Sequence, residues 1–115
     1  MGTLLIGRDA RSFDGGIAHV WIEEAVPADA PARRLAGVRL EGIAHRAGIA
    51  DEIPFAIPGL TRVPAKARLR AWVDVRARGK PGPDDLFSTE AVTVADADCV
   101  VRVEASTGKS GRSGR

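Results

Sequence analysis

Between Lys66 and Arg76 the chain alternates with period two for eleven residues. Ala67, Leu69, Ala71, Val73 and Val75 fall on one side, and Lys66, Arg68, Arg70, Trp72, Asp74 and Arg76 on the other. Only an extended strand, whose successive side chains point to opposite faces, separates these two sets. Such a strand needs a sheet around it, with one face turned to a core and the other to water.

The same period recurs along the chain. Asp98–Glu104 places Cys99, Val101 and Val103 on one face, and Glu52–Ile57 places Ile53, Phe55 and Ile57 together. Pro54 and Pro58 lack amide donors, which marks the latter as an edge strand or a strand end. Val38 and Leu40 alternate with Arg39 and Glu41. Ile43 then breaks parity unless Gly42 makes a bulge. Ile17–Ile22 carries bulk on both faces and reads as a central strand. Ala91–Ala95, a strand near Thr3–Gly7 and a short one at Leu86–Thr89 complete the set. Asp14-Gly15-Gly16, Pro58-Gly59 and Gly79–Pro83 read as turns or loops. Ala28–Ala36 is the one segment with the signals of a helical turn. The expectation is all-β: a single-domain β-sandwich or small barrel of about seven to eight short strands.

A chain of 115 residues that is 44% apolar and 28% charged supports one core over residues 1–105. Ser106–Arg115 contains no apolar residue and reads as a flexible Ser/Gly/Arg tail. Its Lys109, Arg112 and Arg115 contribute +3 to a total of +2, leaving −1 for residues 1–105. The basic pI of about 9.2 therefore originates in the tail. It does not predict a specific nucleic-acid surface. No stretch approaches a membrane span. The chain as written lacks an export signal and reads as cytoplasmic; a processed chain would belong to the envelope or periplasm.

Few residues suggest chemistry. His19 and His45 are the only histidines and Cys99 the only cysteine, so there is no intrachain disulfide and no finger-type zinc spacing. His19 reads as cover on a sheet face, His45 as a loop residue and Cys99 as a core hydrophobe. Gly108-Lys109-Ser110 lacks the upstream glycine and the following helix of a phosphate-binding loop. Glu23-Glu24 and Asp84-Asp85 read as solvated, turn-making acids, since strand neighbours point to opposite faces. No catalytic residue, cofactor or metal site is assigned. Trp72 stands out because its parity places an aromatic on the charged face between Arg70 and Asp74. It reads either as packed on arginine stems with a cation–π contribution, or as a partner anchor flanked by Arg70 and Arg68.

Gly16–Ala32, with its Asp29-Ala30-Pro31-Ala32, resembles a segment of the YbaY/YscW family of small envelope lipoproteins. The resemblance continues through Pro54-Phe55, Leu69-Arg70-Ala71 and Asp85–Thr89, in the family's order, over roughly residues 16–104. The chain departs from that family in lacking a signal peptide and lipobox cysteine. The resemblance implies a small β-sandwich or barrel without enzymatic activity, and for some members a pilotin role in type III secretion. The leading expectation is a non-catalytic binding or assembly module with a protein partner. A carrier of a small apolar ligand or lipid, a nucleic-acid-binding OB-like barrel and an unrecognised enzyme are the alternatives.

Overall fold

The computed structural model describes residues 2–24, 33–57, 67–88, 92–93 and 99–105. Its strands are β1 (Gly2–Ile6), β2 (Phe13–Glu24), β3 (Arg33–His45), β4 (Asp51–Phe55), β5 (Ala67–Asp74), β6 (Leu86–Ser88), β7 (Val92–Thr93) and β8 (Cys99–Ala105). There is no helix among the described residues. Seven strands form one sheet in the order β3-β2-β5-β6-β8-β1-β4, curled into a nearly closed barrel, and β7 pairs with β5. Neighbours are antiparallel except for β1 and β8, which run parallel.

The alternation seen in the sequence sets the inner surface. Ala18, Val20 and Ile22 of β2 face Val73, Ala71 and Leu69 of β5, respectively, along the ladder, and all six are at most 4% exposed. Leu4 and Ile6 of β1, Val101 and Val103 of β8, and Leu86 of β6 continue the interior around the barrel. Fully burying each Val, Leu or Ile contributes about 1.5–3 kcal/mol. β2 is hydrogen-bonded on both sides, which makes it a central strand as its two bulky faces suggested. β4 ends the sheet, consistent with Pro54 as the fourth of its five residues.

The Lys66–Arg76 strand is shorter than its alternation suggested. β5 has 8 residues, against 12 in β2 and 13 in β3. It stops at Asp74, which is 1% exposed although parity had placed it on the wet face. Its carboxylate accepts the amides of Arg78 at 3.0 Å and Gly79 at 2.7 Å, folding the chain back over it. Ala77 in this turn adopts φ 52°, and its amide donates to the Asp74 carbonyl at 3.2 Å.

Two glycines bend the β2–β3 ribbon. Register slips by one residue between Gly16 and Ala18, and the extra residue lies on β3, where Gly42 has φ 69°. This is the bulge that the parity break at Ile43 required. Asp14-Gly15-Gly16 is not a turn. It lies within β2, where Gly15 at φ 74° absorbs a second slip, between Phe13 and Gly16. A left-handed glycine serves a bulge as well as a turn, so sequence alone did not separate them. Residues 33–36 of the expected helical turn belong to β3 instead, held by pairing with β2. Residues 28–32, Pro58-Gly59 and Ser106–Arg115 lie outside the described residues, and so does the Cys99 side chain.

Leu69 and Arg68 are adjacent on β5 but face opposite ways, buried and exposed. Leu69→Ala is expected to destabilise by about 2–5 kcal/mol, and Arg68→Ala by no more than about 0.5 kcal/mol. Denaturant unfolding measures both, and equal small effects would show that the inner face is misassigned.

Candidate functional site

The outer face of β2 and β5 carries both tryptophans of the chain, Trp21 and Trp72, together with His19. The ladder aligns Arg39 of β3, His19 of β2, Trp72 of β5, Phe87 of β6 and Glu104 of β8 in one row across the sheet. The next row sets Gly37, Trp21 and Arg70 side by side. Trp72 keeps the outward parity read from the sequence, but its packing partner is different. It stacks on His19, with ring centroids 4.5 Å apart and planes 13° apart, not on arginine stems. The arginine–indole contact occurs one row away, where the Arg34 guanidinium lies 4.3 Å from the Trp21 ring centroid. Gly37 makes room for that indole, since a Cβ there would stand 3.1 Å from the Cβ of Trp21.

Both indoles are fixed by carboxylates. Trp21 Nε1 donates to Glu23 Oε1 at 2.9 Å, and Trp72 Nε1 donates to Asp85 Oδ2 at 2.8 Å. Asp85 is not a solvated turn residue as expected. It is 2% exposed and also accepts the amides of Val75 at 3.1 Å and Gly82 at 2.9 Å. One buried carboxylate thereby ties the 75–85 loop to Trp72, a link between β5 and the start of β6 that local sequence does not reveal. Asp84, by contrast, is exposed and pairs with Arg76 at 2.7 Å.

Of the two flanking arginines, Arg70 is half-buried. It lies 3.6 Å from Glu23 and donates from Nε to Ser88 Oγ at 3.3 Å. The same hydroxyl accepts the Ala71 amide at 3.0 Å. Arg68 is exposed and makes no ion pair among the described residues. Trp72, Arg70 and Arg68 thus share one face but differ in freedom.

Charge on this face is felt at His19. Burial, the largest influence, lowers its pKa below the ordinary 6.5; Arg39 lowers it further, Asp74 opposes, and Arg34 adds to the lowering. Asp74 moves down from 3.8: burial pushes it up, but the Gly79 and Arg78 amides, then His19 and the Arg76 amide, outweigh that.

A second feature is a cleft of about 630 Å³ beside the β3–β4 connection, lined by Ser12, Phe13, Asp14, His45, Arg46, Ile49 and Asp51 among others. His45 is not in a loop. It ends β3, is 5% exposed, and is 2.5 Å from Asp51 through Nδ1 and 3.2 Å from the Ala10 carbonyl through Nε2. Ser12 Oγ accepts the Ala47 amide at 2.8 Å. Both ring nitrogens of His45 are thus engaged by Asp51 and Ala10, and neither bonds Ser12, so the three residues do not form a nucleophile–base chain. No cluster of three or more His, Cys, Asp or Glu side chains able to hold a metal ion occurs among the described residues.

No family model, curated protein or solved structure matches the chain.

The Asp74 carboxylate stabilises the fold above its unfolded-state value of about 3.8, and that contribution is lost as pH falls through its lower folded-state value. Asp74→Asn, which turns an amide donor toward backbone amides, is expected to cost about 1–3 kcal/mol at neutral pH. It should also flatten the acid limb of a denaturation series. His19 has the same sign for a different reason. Its folded form resists protonation, so stability declines as pH drops below 6.5. His19→Gln should remove that slope, and thermal melts between pH 7.5 and 5.5 (roughly one unit either side of the ordinary histidine value) measure it.

Proposed function

We propose that the protein is a binding or assembly module that engages a protein partner through the outer face of β2 and β5. Trp72 is the anchor, and Arg68 and Arg70 flank it. The observation that carries this reading is the fixed aromatic row on the outside of the barrel. His19, Trp72 and Phe87 stand side by side across three strands, half-buried, with the Trp72 indole held by Asp85. Aromatic side chains already locked in place lose little entropy on binding. Arg68 adds an exposed charge at the margin, where it can steer and orient a partner. The resemblance to small envelope lipoproteins and pilotins supports the same class of function.

The barrel interior is occupied by its own packed side chains, so the outer surface is favoured over a carrier role. A second reading has one specific observation behind it. Trp21 and Trp72 share their face with Arg34, Arg39, Arg68 and Arg70, the combination of stacking surface and positive charge on which single-stranded nucleic acids bind. Arg39 and Arg70 are paired with Glu41 and Glu23, which halves the charge offered to phosphates and favours the protein partner.

Affinity capture with the full chain, compared with Arg68→Glu and Trp72→Ala, tests the reading. Arg68→Glu is expected to weaken a captured protein complex about tenfold at unchanged melting temperature. Trp72→Ala is expected to weaken it more than its own loss of stability explains. Binding unaffected in both variants would make Trp72 a structural brace only. A complex destroyed by nuclease, with affinity falling steeply with salt, would favour the nucleic-acid reading.

A further inference from the structure

The barrel is incomplete along one line. β3 and β4 are consecutive in the chain and end the sheet on opposite sides, yet no ladder among the described residues joins them. They meet at the connection end, where His45 contacts Asp51. That end is securely built. Gly48 donates its amide to the Arg8 carbonyl at 2.8 Å, Ala47 donates to Ser12, and His45 contacts the Ala10 carbonyl. Away from it, among the described residues, the two edges are not paired.

The inner surface registers this gap. Ala36, Val38 and Leu40 of β3 occupy inward positions opposite Ile22, Val20 and Ala18 of β2. The β2 residues are at most 4% exposed, whereas all three on β3 are half-buried. On the other side, Ile53 of β4 is half-buried while its ladder partner Leu4 is 0% exposed. Apolar side chains are therefore partly accessible at alternate positions of β3 and at Ile53 of β4, while Phe55 of β4 is buried. The two walls differ in what their backbones offer. β4 has Pro54 as the fourth of its five residues, with no amide to donate. β3 is 13 residues long and contains no proline.

Charge varies along the gap. The outward side chains of β3 include exposed Arg34 and Arg39 in its first two-thirds; Arg39 is paired at 3.2 Å with Glu41, an exposed surface pair that a guest carboxylate can replace, and Glu52 on β4 lies toward the connection end. The positive field of Arg39 and Arg34 reaches His19 and helps to keep it neutral.

We infer that the edge of β3 that faces away from β2, unpaired among the described residues, is an acceptor for one extended segment of a protein partner, with apolar side chains at alternate positions directed into the gap and acidic side chains between them beside Arg34 and Arg39. Added main-chain hydrogen bonds supply affinity, and alternate side chains supply selectivity. The guest's apolar residues cover Val38, Leu40 and Ile53, and its carboxylates lie across from the arginines, where opposite charges on neighbouring strands attract. This site borrows Arg34 and Arg39 from the margin of the outer face but requires neither Trp72 nor Arg68.

The test uses the full chain and short blocked peptides as probes, followed by backbone amide exchange in NMR spectra. A peptide of alternating valine and glutamate is expected to slow exchange in β3 between Leu35 and Leu40 and to perturb the emission of Trp21, which adjoins Gly37 of β3. The peptide with lysine in place of glutamate is expected to bind at least about tenfold more weakly. Arg39→Glu, on an exposed side chain, should reverse that preference. N-methylation of alternate peptide residues along one edge should abolish binding without touching the protein. Several results overturn the inference. They are equal binding of the N-methylated peptide, protection absent from β3, and β3 amides already slow in dilute protein because the chain covers its own edge. Protection that grows with protein concentration alone would overturn it in favour of a second copy as occupant. Arg68→Glu leaves this site intact, so failure here and failure of the Trp72 reading are distinguishable.

Discussion

A sheet with one apolar face and no helix to cover it can bury that face only against another sheet or against itself. This chain takes the second route. Its described strands supply inward rows of Val, Leu, Ile and Ala from β1, β2, β5 and β8, and curling the single sheet lets each row bury the next. Everything else follows from that closure. The strands must bend sharply, so Gly15 and Gly42 interrupt the ladder between β2 and β3 at positive φ. The closure must also be held somewhere, and His45, Asp51 and the loop contacts to Arg8, Ala10 and Ser12 hold it at one end.

Buried carboxylates do a different job from the apolar rows. Asp74 and Asp85 are nearly inaccessible, and each satisfies backbone amides of the loop between β5 and β6. Burying an unpaired charge is costly, but an anion that accepts two or three amide hydrogens recovers much of that cost and fixes the loop's path. Asp85 extends the effect to the surface, because one of its oxygens also receives the Trp72 indole N–H. The rigidity of the outer aromatic row therefore originates in a loop and not in the strand that carries the tryptophan.

The two surfaces argued to bind partners present different chemistry. The β2–β5 face offers flat, pre-positioned aromatic area with a charged margin, suited to side-chain recognition. The β3 edge offers backbone that is unpaired among the described residues and half-buried apolar side chains, suited to main-chain recognition. Natural sheets usually protect free edges with proline, charge or covering segments. β4 follows that rule through Pro54; β3 has no proline along its length and follows it only through charge, which disfavours pairing with a like-charged strand but admits an acidic one.

Period-two alternation was enough to locate β2, β3, β4, β5 and β8 approximately and to identify Leu69, Ala71 and Val73 of β5 and Val101 and Val103 of β8 as inward, because a strand's side-chain direction is a purely local property; which face of β2 turned inward was left open, since both carry bulk. The bulge at Gly42 was legible for the same reason: a parity break beside glycine has few other meanings. The outward position of Trp72 with Arg68 and Arg70 was also read from parity alone. What local sequence could not supply was any fact that depends on which strands become neighbours. The stacking of His19 on Trp72 requires β2 to lie beside β5, and Asp85 becomes buried only when its loop folds over that pair. His45 reads as a loop residue until β3 extends to meet the start of β4, and Asp74 reads as a wet-face residue until the turn after it closes over its carboxylate. Alternation determines the two faces of each strand; only the pairing order and curvature of the whole sheet decide which polar side chains on those faces are withdrawn from water, because withdrawal requires atoms brought from distant parts of the chain.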